Sequence, residues 1–204
     1  MEAKERILVK ANELFTRYGI RSVSMDDIAA QLGMSKKTLY QYYRDKDELV
    51  NAFFDVILTS NKSQCLECTQ KGENAIHEVF LSFDMVEEML TAMNPSVLFD
   101  MQKYHPSAFK KFDEYRNGFL YKMIRANIEK GIDEELYRED IDVDILSRYR
   151  LHSVVLSFNS EVFPNNKTNL VHIEQQLLEV FLWGIATPKG QKLIQKYKNQ
   201  RTKK

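Results

Sequence analysis

The sequence is poor in the residues that build loops, crosslinks and membrane spans. Its 204 residues include seven glycines, four prolines, two cysteines and one tryptophan. With few glycines and none clustered, it has neither a phosphate-cradling loop nor a nucleophile elbow. Two cysteines make no disulfide framework and suit a reducing compartment, so a cytoplasmic location is expected. No apolar run approaches the length of a membrane span, so no membrane partner is expected. The start, Met1-Glu2-Ala3-Lys4-Glu5-Arg6, lacks the apolar core of a signal peptide. Nor is there a metal box or a paired-carboxylate arrangement, so no enzyme activity, cofactor or metal is expected.

Net charge is absent too, since 29 Lys/Arg balance 29 Asp/Glu. The distribution is uneven. Residues 1–50 carry nine basic and eight acidic side chains, and residues 189–204 carry seven basic and no acidic ones. The stretch between therefore has a net charge of −8. An acidic body repels DNA, so any DNA contact should come from the ends of the chain.

What the chain has in quantity is helical periodicity. Ile7, Ala11, Leu14, Phe15 and Tyr18 form an apolar stripe, with Gly19 placed for a left-handed C-terminal cap. Ser24-Met25-Asp26-Asp27 is a capping signal for a short helix through Ile28, Ala29 and Leu32, closed by Gly33. Ser35 caps a second short helix from Lys36 to Tyr43. Asp45-Lys46-Asp47-Glu48 repeats the signal and opens a long helix on Leu49, Val50, Phe53, Phe54, Ile57 and Leu58. Further amphipathic helices follow, with breaks at Asn94-Pro95, at Gly131 with its acidic connector to Asp142, and at Pro164-Asn165-Asn166. Pro106 is placed at a helix first turn. The segment 167–187 is apolar over most of its circumference, which calls for cover from a second subunit.

Two short capped helices joined by Gly33-Met34 make a helix-turn-helix, in which the first braces the second in a major groove. Ile28, Ala29, Leu32, Leu39 and Tyr43 point inward. Lys36, Lys37, Thr38, Gln41 and Tyr42 point outward and offer donors suited to phosphates and base edges. Alone, a lysine pair would be read as a solvated face.

The stretch from Ser24 to Leu49 resembles the DNA-binding signature of the tetracycline-repressor (TetR/AcrR) family: an N-cap, Ile28-Ala29, Gly33, Ser35, Leu39-Tyr40, the aromatic pair Tyr42-Tyr43, Lys46 and Leu49. The resemblance covers residues 5–55 well. It implies an all-α fold, with a three-helix DNA-binding head at 1–48 and a helical bundle for effector binding and dimerisation at 49–204. It also implies a homodimer on a pseudo-palindromic double-stranded operator, repression as the usual mode, and release by a small effector. By position, Lys36 and Lys37 would read bases or phosphates, Thr38, Tyr40 and Tyr42 would touch backbone or a thymine methyl, and Gln41 could read adenine. Lys46 would clamp a phosphate, and Ser24 would cap and reach one. Asp26 departs from the pattern, standing where many members place a basic or neutral residue. Tyr43 replaces the commoner Phe.

The aromatic and Met supply of residues 80–125 suits plain core or the lining of an effector pocket. Tyr104, Phe109, Phe112, Tyr115, Arg116, Phe119, Tyr149 and His152 are the candidate lining residues for an apolar or aromatic effector. A fully packed bundle would instead favour control by a protein partner, or no effector. Cys65 and Cys68 form a CxxC, yet Phe54, Leu58, Asn61, Cys65 and Cys68 share one helix face, so packed thiols are the plainer reading than a redox or zinc site. The basic tail suits a short helix docked on the acidic body, or a frayed end.

Overall fold

The computed structural model describes residues 2–159, 161–164 and 169–201. These residues form α1 (Ala3–Tyr18), α2 (Met25–Gln31), α3 (Lys36–Tyr42), α4 (Lys46–Lys71), α5 (Ala75–Ala92), α6 (Ser96–Tyr104), α7 (Pro106–Glu114), α8 (Tyr121–Asp133), α9 (Val143–Leu156), α10 (Leu170–Ile185) and α11 (Pro188–Arg201). No strand is present among them, and the only extended pairing is an isolated bridge between Tyr137 and Ala186. The fold is all-α, as the periodicity implies. No described helix is long and apolar enough to cross a membrane.

Packing divides the chain into two compact units. The first comprises residues 1–61 and 92–115, and the second residues 62–91 and 116–204. In the first, Ile7, Ala11 and Phe15 of α1 meet Ile28 of α2, Leu39 of α3, and Leu49, Val50 and Phe53 of α4, all buried. Burying each large side chain contributes about 1.5–3 kcal/mol, enough to hold helices too short to persist alone. Helix α6 closes this unit from the side. The Asn94 N–H donates to the Thr16 carbonyl at 2.7 Å, and the Arg21 N–H donates to the buried Asp100 carboxylate at 2.9 Å.

In the second unit, Ala75, Ile76, Phe80 and Phe83 of α5 pack with Ile128 of α8, Leu178, Phe181 and Leu182 of α10, and Ile194 and Tyr197 of α11. The basic tail is therefore a docked helix. Arg201 Nε lies 2.7 Å from Asp84, and Lys198 Nζ lies 2.7 Å from Glu179. Its last residues, 202–204, lie outside the described residues, as do Asn165 and Asn166 of the expected break and the first two residues, 167–168, of the expected segment 167–187.

Several local expectations are corrected. Tyr18 is exposed and leaves the α1 stripe at Phe15. Gly19 has φ +83° but ψ 153°, so the cap is extended rather than left-handed helical. Gly131 does not end its helix, since α8 continues to Asp133. A Cβ at Gly131 would lie 2.1 Å from the Tyr137 ring, so this glycine makes room for that ring. The acidic connector after α8 is partly buried. Leu136 and Tyr137 are buried, and burial pushes the Tyr137 phenol far above its usual range. The stretch after Pro106 also contains a π-helical turn at Tyr115–Leu120, which separates α7 from α8.

Candidate nucleic-acid interface

The interface is assembled by caps. Ser24 Oγ accepts the Asp27 N–H at 3.1 Å, while the Asp27 carboxylate accepts the Ser24 N–H at 2.8 Å and the Ser24 hydroxyl at 2.6 Å. These bonds hold the Asp27 carboxyl below its usual value. Gly33, at φ +63°, makes the turn that an L side chain would strain. Ser35 Oγ then accepts the Thr38 N–H at 3.1 Å and fixes the start of α3. At α4, Asp45 accepts the Glu48 N–H at 2.8 Å, and Glu48 accepts the Arg44 N–H at 2.9 Å.

The side chains then fall into two sets. Leu39 and Tyr43 are buried, with the Lys4 ammonium 5.5 Å from the Tyr43 ring centroid. Burial raises the Tyr43 phenol. Ser24, Lys36, Lys37, Tyr40, Gln41 and Tyr42 are exposed, and Thr38 is half-buried with its hydroxyl 2.8 Å from that of Ser35. Five neighbouring positions from the start of α3 thus offer ammonium, hydroxyl and amide groups outward, the donor set that phosphates and major-groove edges accept.

Two of the cations have carboxylates for company. Lys36 Nζ is ion-paired with Asp26, whose hydrogen bond raises the lysine's pKa. Lys46 is half-buried, its ammonium 5.9 Å from the Phe15 ring centroid. Burial lowers its pKa, against the opposing fields of Asp100, Asp27 and Asp47.

The candidate effector residues do not gather in one unit. Tyr104, Phe109, Phe112 and Tyr115 belong to the first, and Arg116, Phe119, Tyr149 and His152 to the second. Phe109 and Phe112 adjoin, with ring centroids 6.2 Å apart, and Tyr115 is buried. Tyr104 is exposed beneath Arg21 and Lys103. Phe119 is half-buried, with the Lys62 ammonium 5.9 Å from its ring centroid. Tyr149 is exposed and stacks on Phe181 at 6.3 Å, and His152 is exposed. Cys65 is buried and Cys68 half-buried, and burial raises the Cys68 thiol pKa, the opposite of a reactive thiolate. No group of three potential metal ligands occurs among the described residues.

Residues 7–53 match the model for bacterial regulatory proteins of the tetR family. These residues thus carry a DNA-binding head of the TetR family. The match spans α1, α2 and α3 and the first turns of α4, the same elements that build the interface. Among similar proteins, the uncharacterized helix-turn-helix regulator YvaF of Bacillus subtilis is 30% identical over 112 residues, which cover 54% of this chain and 58% of that one. The alignment thus spans under two thirds of that relative. The transcriptional repressor KstR2 of Mycolicibacterium smegmatis is 24% identical over 93% of each chain. A solved structure of FadR from Thermus thermophilus, a TetR-family repressor in complex with lauroyl-CoA, shares the fold with a TM-score of 0.59 and 17% identity, covering 90% of this chain and 95% of that one. These relatives are transcriptional regulators rather than enzymes.

Around this TetR-family head, no local sequence signal announces the Asp100 contact or the Asp26–Lys36 pair. Asp100 sits 79 residues from its Arg21 partner, beyond any local signal. Asp26 and Lys36 are ten residues apart on different helices, and only the turn angle brings them together.

Proposed function

We propose that this TetR-family regulator is a repressor that binds a pseudo-palindromic operator as a homodimer and is released by a small apolar or aromatic effector. The observation that carries the DNA-binding part is the capped helix α3 with Lys36, Lys37, Thr38, Tyr40, Gln41 and Tyr42 directed away from the core. Ser24 and Lys46 flank it at the starts of α2 and α4. Residues 1–48 are assigned to DNA and 49–204 to effector and dimer.

Dimerisation is supported by apolar side chains left uncovered on α9 and α10. Ile145, Tyr149 and Leu156 repeat at four and seven residues, and Val180 is 67% and Trp183 38% exposed. Such a stripe suits a self-complementary contact. Two heads would then meet successive major grooves about one helical turn apart. Helix α4 begins in the first unit and ends in the second, so it is one continuous helical link for coupling an effector to the heads.

Small-molecule control is supported by the acyl-CoA complex of the FadR neighbour and by the adjoining rings of Phe109 and Phe112. The exposure of Tyr104, Tyr149 and His152 favours a second version, with a protein partner in place of the small effector. Thermal melting against a library of apolar and aromatic compounds separates the two. A dose-dependent rise in midpoint, followed by release of bound DNA by the same compound, supports the effector switch. A diverse library without any shift contradicts it.

A further inference from the structure

Asp26 places a carboxylate beside the leading cation of α3, on a surface that would face a polyanion. Its bond to the Lys36 ammonium joins α2 to α3, and both side chains remain largely solvent-exposed. We propose that Asp26 is a specificity-determining residue, whose carboxylate competes with DNA phosphate for Lys36 and so holds down binding to duplexes of arbitrary sequence. The inference rests on the DNA-binding reading above.

Sequence-independent binding is chiefly the release of counterions as lysines and arginines neutralise phosphates, and each contact adds to its salt dependence. A lysine already neutralised by a carboxylate of its own protein contributes little to that term until the pair is exchanged. An ion pair this exposed is weak enough to exchange when base contacts fix the helix in its groove. Lys46 likewise lies in the fields of Asp100, Asp27 and Asp47. Lys37 makes no ion pair among the described residues, and the first fifty residues together carry a net charge of only +1. The head is therefore built with little uncompensated positive charge, so that discrimination falls to the neutral donors Gln41, Tyr40, Tyr42 and Thr38. A tight grip on any phosphate would blunt that discrimination, because every competing genomic site shares the phosphate term.

The test uses the full-length protein and a random-sequence duplex, followed by fluorescence anisotropy over a range of salt. Wild type is compared with Asp26→Asn, Lys36→Met and the double variant. Asp26→Asn is expected to tighten random-duplex binding about three- to ten-fold and to steepen the slope of log K against log salt by about 0.9. In the Lys36→Met background the gain should fall to less than half. Asp26→Ser, which also suits a helix first turn, should reproduce the effect, and equal melting midpoints confirm that the head stays folded. Unchanged affinity and slope in both Asp26 variants overturn the inference. So does an equal gain without Lys36, since Asp26 would then act by repelling phosphate directly. A wild-type protein that binds no duplex at low salt overturns the DNA-binding reading itself, and this inference with it.

Discussion

His77 of α5 lies stacked on Tyr197 of α11, with ring centroids 4.7 Å apart and planes within 5°. The Tyr197 hydroxyl also donates to Glu73 at 3.2 Å and accepts from the Asn74 amide at 2.9 Å. The tail is thus an integral helix of the second unit. Tyr197→Ala should lower stability by about 3 kcal/mol. Tyr197→Phe keeps the stack, loses the hydrogen bonds, and should cost about 1 kcal/mol. Urea unfolding measures both, and a neutral Tyr197→Ala would mean that α11 is not docked.

Two helical glycines should respond in opposite directions to the same substitution. Gly131→Ala gains helix propensity but puts a methyl 2.1 Å from the Tyr137 ring, so it should destabilise by about 1–3 kcal/mol. Gly118, in the π-helical turn, has nothing within 4 Å of a built Cβ. Gly118→Ala should therefore be neutral or stabilise by up to about 1 kcal/mol. Equal effects at the two sites would contradict the packing at Gly131.

Gly131 marks the limit of what the sequence conveys. Ser24, Ser35 and Asp45 announced their caps because a cap is settled within four residues. Gly131 carried the local signal of a stop, and nothing nearby revealed that Tyr137 folds back over it. Asp100 was invisible for the same reason, since its partner lies on another element. The aromatic supply around Phe109 and Phe119 was plain in composition, but composition does not fix facing. That is why Tyr149 and His152 stand exposed while Tyr115, a candidate of the same kind, is buried.

The capping box at α2 should make a pH-dependent contribution. Ser24→Ala should cost about 1 kcal/mol near neutral pH. The folded-state pKa of Asp27 is depressed by its bonds from Ser24. Its share of the cap is therefore whole above the ordinary carboxylate value of about 3.9 and is lost as pH falls through the lower folded value. Melting of wild type and Ser24→Ala should accordingly differ less at about pH 3 than at pH 7. A gap that stays constant or widens in acid would show that the carboxylate takes no part.

Half-buried Arg150 of α9 pairs with the buried Glu174 of α10, at 2.6 Å. The second Glu174 oxygen has no hydrogen-bond partner among the described residues. Arg150→Met strands the carboxylate and should cost about 3–5 kcal/mol, whereas the double change Arg150→Met with Glu174→Leu should lie close to wild type. Denaturant unfolding of both decides. A double variant as damaged as the single one would mean that the pair's geometry, rather than its charge, is what the unit needs.

The proposed role of α3 is to read DNA sequence for a dimer. Its most direct test is selection of tight binders from a random duplex pool, followed by affinity measurement on the enriched sequence for wild type, Lys37→Ala and Gln41→Ala. The account predicts an inverted repeat whose half-site centres lie about one helical turn apart. It also predicts that Gln41→Ala relaxes base preference within each half-site, while Lys37→Ala weakens binding and flattens the salt slope. A pool that yields no common sequence, or a repeat that both variants bind as tightly and as selectively as wild type, would contradict it.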